Sequence, residues 1–198
     1  MIHRVNRIIV VTLIMSTLSL AGCATTPPPT YFQLDEPANV QLSGIERGIA
    51  VGVGPLTLPS YLDRPHIVTR ATEHRLELSE FNRWAEPLKE SMLRVIGVNL
   101  SNELKTTRVF ALPRRSPVVP IEYKVEINVA RFDGKLGGEV VLVARWILLG
   151  KDDQLISTKV SIIREQSAGS DYDALITAQN RMLSTLSKEI AEAILSQT

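Results

Sequence analysis

One cysteine is the most reactive side chain that this sequence offers. Cys23 is the only cysteine among the 198 residues, and it directly follows Leu20, Ala21 and Gly22. A cysteine thiolate is a nucleophile that can form a thioether, and the small side chains of Ala21 and Gly22 allow a peptidase to approach the backbone closely. This arrangement predicts alkylation of the thiol, followed by cleavage of the chain just before Cys23.

The residues that precede Cys23 have the order of an export signal. Arg4 and Arg7 provide positive charge, and the apolar run at residues 8–20 is too short and too interrupted by hydroxyl side chains to span a bilayer. The Leu-Ala-Gly-Cys segment that follows this run is typical of a bacterial lipobox. It predicts a lipoprotein signal peptide at residues 1–22, with a diacylglyceryl group and an N-acyl chain on Cys23. A plain secretory signal that happens to end near a cysteine is the alternative.

The lipid on Cys23 predicts where the protein works. Each buried methylene contributes about 0.8 kcal/mol, so several acyl chains together form a lasting membrane anchor. Ala24 rather than an aspartate follows Cys23, and under the sorting rule for bacterial lipoproteins this residue favours transfer to the outer membrane. We therefore expect a lipid-anchored protein on the periplasmic face of the outer membrane, held in its inner leaflet.

The composition argues against several function classes. The signal peptide contains two of the 22 Lys and Arg residues and none of the 21 acidic residues, which leaves the mature chain with a formal charge of −1. No basic excess is available to attract nucleic acid. The mature chain retains only His66 and His74 as histidines, without a metal-binding spacing, and its one cysteine is assigned to lipid. We therefore expect no metal and no cofactor other than the covalent lipid.

Catalytic and nucleotide-binding motifs are also absent from the sequence. Gly52-Val53-Gly54 resembles the start of a dinucleotide-binding loop, but Thr57 occupies the position of the third glycine and Pro55 would block the helix that must follow. Neither a phosphate-binding Gly-x-x-x-x-Gly-Lys-Ser/Thr motif nor a Gly-x-Ser-x-Gly nucleophile motif occurs. No motif in the sequence therefore points to a particular enzyme class.

The mature chain is long enough for one domain with a sizeable core. Residues 23–30 include three consecutive prolines, a composition that favours an extended tether. Residues 31–198 are expected to form a single α+β domain. Residues 121–129 and 156–162 alternate apolar and polar side chains, and residues 139–149 are almost continuously apolar, which indicates three antiparallel strands.

Turns and helices complete this expectation. Asp133-Gly134 is a typical turn dipeptide between the first two of these strands. Residues 83–87 are predicted to open a helix, whose apolar stripe begins at Leu88 and continues to about Lys105. Ser170 is predicted to cap a second helix. Shorter strands are predicted at residues 31–34, 48–53, 67–69, 75–78 and 108–112, the second of them ending at Gly54-Pro55. The resulting fold is a mostly antiparallel sheet with two amphipathic helices packed on it.

Three segments of the mature chain form longer motifs. They are LPSYLDRPHIVTR at residues 58–70, RWAEPL at residues 83–88 and RFDG at residues 131–134. With the Tyr31-Phe32-x-Leu34 strand and Ala144-Arg145-Trp146, they resemble the PqiC family of ABC-type transport auxiliary lipoproteins. The resemblance covers nearly the whole mature chain.

This resemblance implies a non-enzymatic outer-membrane lipoprotein that docks on the periplasmic end of a PqiB-like protein. The stacked MCE domains of such a partner form a lipid-conducting tube that starts at the inner membrane. The resemblance also implies a homo-oligomer, a ring of identical subunits around the tip of the tube. The sequence itself neither shows nor excludes that ring.

The loop of the first motif contains the predicted contact residues. Tyr61, Asp63, Arg64 and Arg70 are expected to contact the partner or a neighbouring subunit, because tyrosine and arginine are favoured interface anchors. The alternative is an internal role, in which Tyr61 packs over the sheet and Asp63 pairs with Arg64 or Arg70 to hold the proline-rich loop.

The second motif is predicted to be structural. Trp84 is expected to fix the entry of the chain into a helix. Pro87 is tolerated in a first helical turn, and Glu86 suits the positive end of the helix dipole.

Two other functions remain open at this point. A periplasmic lipid carrier would enclose an acyl chain and predicts an apolar cavity of roughly several hundred Å³ inside the sandwich. A periplasmic hydrolase would need a polar pocket near His66 or His74.

Overall fold

The computed structural model describes residues 26–35, 47–113 and 120–197. Cys23 and the predicted signal peptide lie outside the described residues. Residues 26–29, at the end of the predicted tether, are exposed and belong to no helix or strand. In chain order, the elements are β1 (Thr30–Phe32), β2 (Val51–Thr57), β3 (His66–Arg70), β4 (Leu76–Trp84), α1 (Leu88–Leu104), β5 (Val109–Ala111), β6 (Tyr123–Gly134), β7 (Glu139–Leu149), a 3₁₀ turn (Lys151–Asp153), β8 (Leu155–Gln166) and α2 (Tyr172–Leu195).

The strands form two sheets. A five-stranded sheet has the order β5-β2-β6-β7-β8, and a three-stranded sheet has the order β1-β4-β3. The β6-β7-β8 meander and the β3-β4 hairpin are antiparallel, but β2 runs parallel to both of its neighbours and β1 runs parallel to β4. The expected α+β fold is therefore confirmed, with mixed sheets rather than a purely antiparallel one.

Both helices pack on the five-stranded sheet. Helix α1 contacts β2 and β5, helix α2 contacts β6, β7 and β8, and the two helices contact each other. The core between these layers is filled by large side chains such as Trp146, Phe132 and Leu142, each at most 1% exposed. Trp146 also donates its indole N–H to Ser161 Oγ at 3.0 Å, and Ser161 donates to Glu189 of α2 at 2.5 Å. These hydrogen bonds fix the helix to the sheet.

Strand β2 continues past the point where the sequence predicted its end. The expected strand stopped at Gly54-Pro55, whereas β2 extends to Thr57. Proline lacks a backbone donor, and it is tolerated in a strand where the ladder is interrupted. The pairing of β2 with β6 shifts register between Val53 and Leu56, which places Pro55 inside that interruption.

The helix starts also differ from the sequence prediction. Arg83 and Trp84 end strand β4 instead of opening a helix, and α1 begins only after Pro87, which occupies the N-cap position. The N-cap of α2 is Asp171 rather than Ser170, because the Asp171 carboxylate accepts a hydrogen bond from Ala174 N at 2.7 Å.

Candidate docking site

Two separate segments of the chain form one groove on the surface. The loop between β2 and β3 contributes Asp63, Arg64 and Pro65, and the connection from β4 to α1 contributes residues 84–87. Together they line a cavity of about 370 Å³. We call this cavity the docking groove. It brings together two of the predicted contact residues, Asp63 and Arg64, with the whole predicted structural motif.

Backbone hydrogen bonds join the two walls of the docking groove to each other and one of them to β1. Trp84 N donates to Pro65 O at 2.7 Å, and Ala85 N donates to Phe32 O of β1 at 2.8 Å. The Trp84 side chain is 6% exposed and belongs to the hydrophobic core. The wall that Trp84 forms is therefore anchored in the interior of the protein.

An ion pair fixes the side of the docking groove nearest α1. Arg94 of α1 donates from Nη2 to Glu86 Oε1, and the same nitrogen lies 3.2 Å from Ser91 Oγ. The hydrogen bond from Arg94 lowers the pKa of Glu86, against the opposing effect of partial burial. Glu86 therefore stays ionised beside the first turn of the helix, where a negative charge is favourable.

Asp63 and Arg64 are the charged residues of the loop wall. Asp63 is exposed, while Arg64 is half-buried and donates from Nη2 to Ser60 O at 3.3 Å. The Nε of Arg64 is buried and has no hydrogen-bond partner among the described residues. A buried donor without a partner is uncommon in folded proteins, so this nitrogen is an unused hydrogen-bonding group at the groove.

A buried carboxylate supports the loop from below. Asp133, at the end of β6, has a side chain that is 0% exposed. It accepts hydrogen bonds from Tyr61 Oη at 2.8 Å, from Arg70 Nε at 2.6 Å and Nη2 at 3.0 Å, and from Arg131 Nε at 3.0 Å. We call these four residues the Asp133 cluster. It joins the loop, strand β3 and strand β6 at one point.

The pKa shifts in the Asp133 cluster agree with this geometry. Burial alone would raise the pKa of Asp133, but the hydrogen bonds from Arg70 and Tyr61 and the positive charges of Arg70 and Arg131 outweigh burial and lower it. Burial and the hydrogen bond to Asp133 raise the pKa of Tyr61 far above its usual value. At neutral pH the cluster therefore contains a carboxylate and a protonated phenol.

The structure thus divides the predicted contact residues into two groups. Asp63 and Arg64 line the docking groove, whereas Tyr61 and Arg70 bind Asp133 inside the protein. The carboxylate partner of Arg70 is Asp133, not Asp63 as one alternative expected. Sequence reasoning missed Asp133 because Asp133-Gly134 has the composition of a turn, although both residues are buried members of β6. The Arg131-Phe132-Asp133-Gly134 motif was the only sequence signal that pointed to it.

A metal cluster and a membrane-spanning helix are both absent from the described residues. The part of the chain that the structure describes contains no group of three or more His, Cys, Asp and Glu side chains arranged to hold a metal ion. Among the helices of residues 26–35, 47–113 and 120–197, none has the length and apolar character that crossing a membrane requires.

Comparison with known families identifies the group to which this chain belongs. Residues 32–191 match the family described as the ABC-type transport auxiliary lipoprotein component. The chain belongs to this family of transport auxiliary lipoproteins. The match spans both groove-forming segments and the Asp133 cluster, and it confirms the resemblance that the sequence motifs indicated.

Two curated proteins are similar to this auxiliary lipoprotein along most of their length. The intermembrane transport lipoprotein PqiC of Escherichia coli K12 is 25% identical over 182 residues, which are 91% of this chain and 94% of that protein. The protein of the same name from Shigella flexneri has the same identity and coverage. These relationships agree with the family assignment.

Solved structures share the fold of the auxiliary lipoprotein. A crystal structure of an uncharacterized protein has a TM-score of 0.69 at 21% identity and covers 85% of this chain and 99% of that one. A protein from Xanthomonas campestris has a TM-score of 0.65 at 19% identity, covering 85% of this chain and all of the other.

Proposed function

We propose that this protein is a non-enzymatic adaptor that docks a PqiB-type MCE transport tube at the outer membrane. In this proposal the lipid on Cys23 holds the domain in the inner leaflet, and the docking groove binds the periplasmic end of the tube. The observation that carries the proposal is the convergence of two separate sequence motifs on one surface groove in a member of this transport family.

The chemistry of the docking groove suits a protein partner. Pro65, Ala85 and Pro87 are exposed and give the groove an apolar rim. Asp63 and Arg64 add one charge of each sign to the groove lining. Apolar contact combined with a few oriented polar groups is the usual composition of a recognition site.

The rigidity of the docking groove also favours docking. A surface that is already ordered loses little conformational entropy on binding. The Asp133 cluster and the Glu86–Arg94 ion pair hold the two sides of the groove before any partner arrives.

A ring of identical subunits would repeat the docking groove around the tip of the tube. Each groove needs only modest affinity in such an assembly, because binding of one subunit raises the effective concentration of the next site. A homo-oligomeric ring is therefore part of the proposal.

Co-isolation from membranes tests this function. The full-length lipoprotein carries an affinity tag, is extracted in detergent and is analysed for the co-isolated MCE protein. Arg64→Ala and Asp63→Ala are expected to reduce recovery of the MCE protein at least tenfold, equivalent to about 1.4 kcal/mol.

Arg75→Ala is the matched control, because Arg75 is a strongly exposed arginine near the tip of the β3-β4 hairpin. This variant should recover as much MCE protein as the parent. Equal recovery by the parent and both groove variants would mean that the groove is not the docking surface.

A further inference from the structure

The outward face of the five-stranded sheet carries an aliphatic surface that the helices do not cover. Three of the five most exposed large hydrophobic residues of the described chain lie on β8, namely Leu155, Val160 and Ile162. Val143 of β7 pairs with Ile162 and is half-buried. Trp146 and Ser161 face the opposite way, towards α2, so helix packing does not account for this surface.

A groove crosses this face of the sheet. It has a volume of about 490 Å³ and is lined by Asn128, Ala130, Val143, Arg145 and Val160. Sites that hold small organic ligands commonly have volumes of roughly 300 to 1,000 Å³. We call this feature the outer-face groove. It is separate from the docking groove, with which it shares no residue.

Arg145 places one positive charge in the aliphatic floor. The side chain is exposed and forms no hydrogen bond or ion pair with any residue in the described part of the chain. Other cations on these strands are paired: Lys124 with Asp153, Lys159 with Glu189 and Arg164 with Glu139. Arg145 therefore differs from its neighbours in having an unused guanidinium group.

An acidic side chain limits where an anion could lie. Glu126 lines a smaller recess of about 110 Å³ on the other side of Arg145, together with Pro55 and Ile147. Its negative charge disfavours an anion there. The side of Arg145 that faces Ala130 and Val143 is lined by neutral residues, so an anion would bind on that side.

We propose that the outer-face groove binds an anionic phospholipid. The phosphate accepts hydrogen bonds from the Arg145 guanidinium, whose planar fork matches two phosphate oxygens. One acyl chain lies along Ala130, Val143, Val160 and Ile162. The charge argument favours this occupant, because a single unpaired cation within an aliphatic floor complements a molecule with one anionic group and a long apolar chain. The proposal rests on the proposed role in lipid transport and adds a lipid site to it.

Photo-crosslinking with a defined lipid tests this site. The full-length lipoprotein is reconstituted into liposomes that contain phosphatidylglycerol with a diazirine in its acyl chain, and the crosslinked peptides are identified by mass spectrometry. Adducts are expected to concentrate in peptides that contain β7 and β8. A diacylglycerol with the same diazirine, which lacks the phosphate, should give at least fivefold fewer adducts there.

Two variants make the test specific. Arg145→Gln should reduce the phosphatidylglycerol adducts at least fivefold. Arg164→Gln is the matched control and should leave them within twofold of the parent, because Arg164 is already paired with Glu139 at 2.7 Å. Adducts that spread evenly over the surface, or that do not respond to Arg145→Gln, would overturn the proposal.

A second copy of the chain is the competing occupant of this face. In a lipidated Ile162→Cys variant the new thiol is the only free one, since Cys23 is the sole native cysteine. A disulfide between two Ile162→Cys chains, without lipid adducts nearby, would show that another copy covers the face and would overturn the proposal.

The outcome can also be separated from that of the docking proposal. Arg145 lies outside the docking groove, so Arg145→Gln should still co-isolate the MCE protein. If the parent chain captures the MCE protein but gives no localised lipid adducts, the lipid site alone is overturned. Localised adducts without capture would overturn the docking proposal alone.

Discussion

Arg70 and Asp133 form a two-point ion pair that connects the two sheets of the protein. Arg70 Nε lies 2.6 Å from Asp133 Oδ1, and Arg70 Nη2 lies 3.0 Å from Oδ2. Arg70 ends β3 of the three-stranded sheet, and Asp133 lies near the end of β6 in the five-stranded sheet. The orientation of the β2-β3 loop, and with it one wall of the docking groove, depends on this pair.

Asp133→Asn is expected to lower the free energy of unfolding by about 3 kcal/mol, because removal of one member of a buried ion pair leaves the other without compensation. Urea-induced unfolding followed by circular dichroism at neutral pH measures this loss. Glu77→Gln is the control, since Glu77 and Arg75 form an exposed pair at 3.7 Å, and it should change the stability by less than about 0.5 kcal/mol. Equal effects of the two substitutions would contradict the central role of Asp133.

The stability of the protein should also fall in acid because of Asp133. Its pKa is lower in the folded chain than in the unfolded chain, where an aspartate has a pKa of about 3.9. The stabilisation is therefore complete above the unfolded-state value and is lost as the pH falls towards the folded-state pKa. Unfolding measured from pH 6 to pH 2 should show a steeper loss for the parent than for Asp133→Asn. Parallel pH profiles of the parent and Asp133→Asn would mean that Asp133 does not cause the loss of stability in acid.

Tyr61→Phe tests the hydrogen bond that ties the loop to Asp133. Loss of the hydroxyl should cost about 1.5 to 3 kcal/mol, because a hydrogen bond to a charged group is removed while the ring is kept. The pKa of Tyr61 is raised in the folded state, so the contribution should persist at neutral pH and decline only above the unfolded-state value of about 10. Thermal unfolding at pH 7.5 provides the measurement. Tyr123→Phe is the comparison variant. If it lowers the stability as much as Tyr61→Phe does, the effect cannot be assigned to the hydrogen bond between Tyr61 and Asp133.

Cys23→Ala is expected to give a folded protein that no longer fractionates with membranes, because the proposed anchor is a set of acyl chains on Cys23. Membrane flotation together with intact mass spectrometry of the exported chain tests this. Continued flotation of the Cys23→Ala protein would place the anchor elsewhere in the chain.

Strands with a pronounced hydrophobic pattern could be predicted from the sequence. The bounds predicted for β7 match those observed, Glu139–Leu149, because a nearly continuous apolar run flanked by glycines admits few other interpretations. The prediction for β2 ended too early, at Gly54-Pro55. Only the pairing partner determines where a bulge can accommodate a proline, and that information is not local in sequence.

The docking groove could be predicted only in part. The sequence motifs indicate all five of its predicted lining residues, namely Asp63, Arg64, Trp84, Glu86 and Pro87. Nothing in the spacing of these residues indicates that they line one cavity. The sequence predicts a turn at Asp133, because an Asp-Gly pair favours one. The burial of Asp133 depends on two groups far away in sequence, Tyr61 and Arg70, which compensate for the cost of burying the carboxylate.

The central claim is that the docking groove contacts the MCE tube, and crosslinking in cells tests it most directly. A photoreactive benzoylphenylalanine replaces Asp63 or Ala85 in the groove, or Arg75 outside it, in the full-length lipoprotein. After irradiation, the account predicts an adduct with the MCE protein from positions 63 and 85 and none from position 75. The absence of an adduct at both groove positions, or equal adducts at all three positions, would contradict the account.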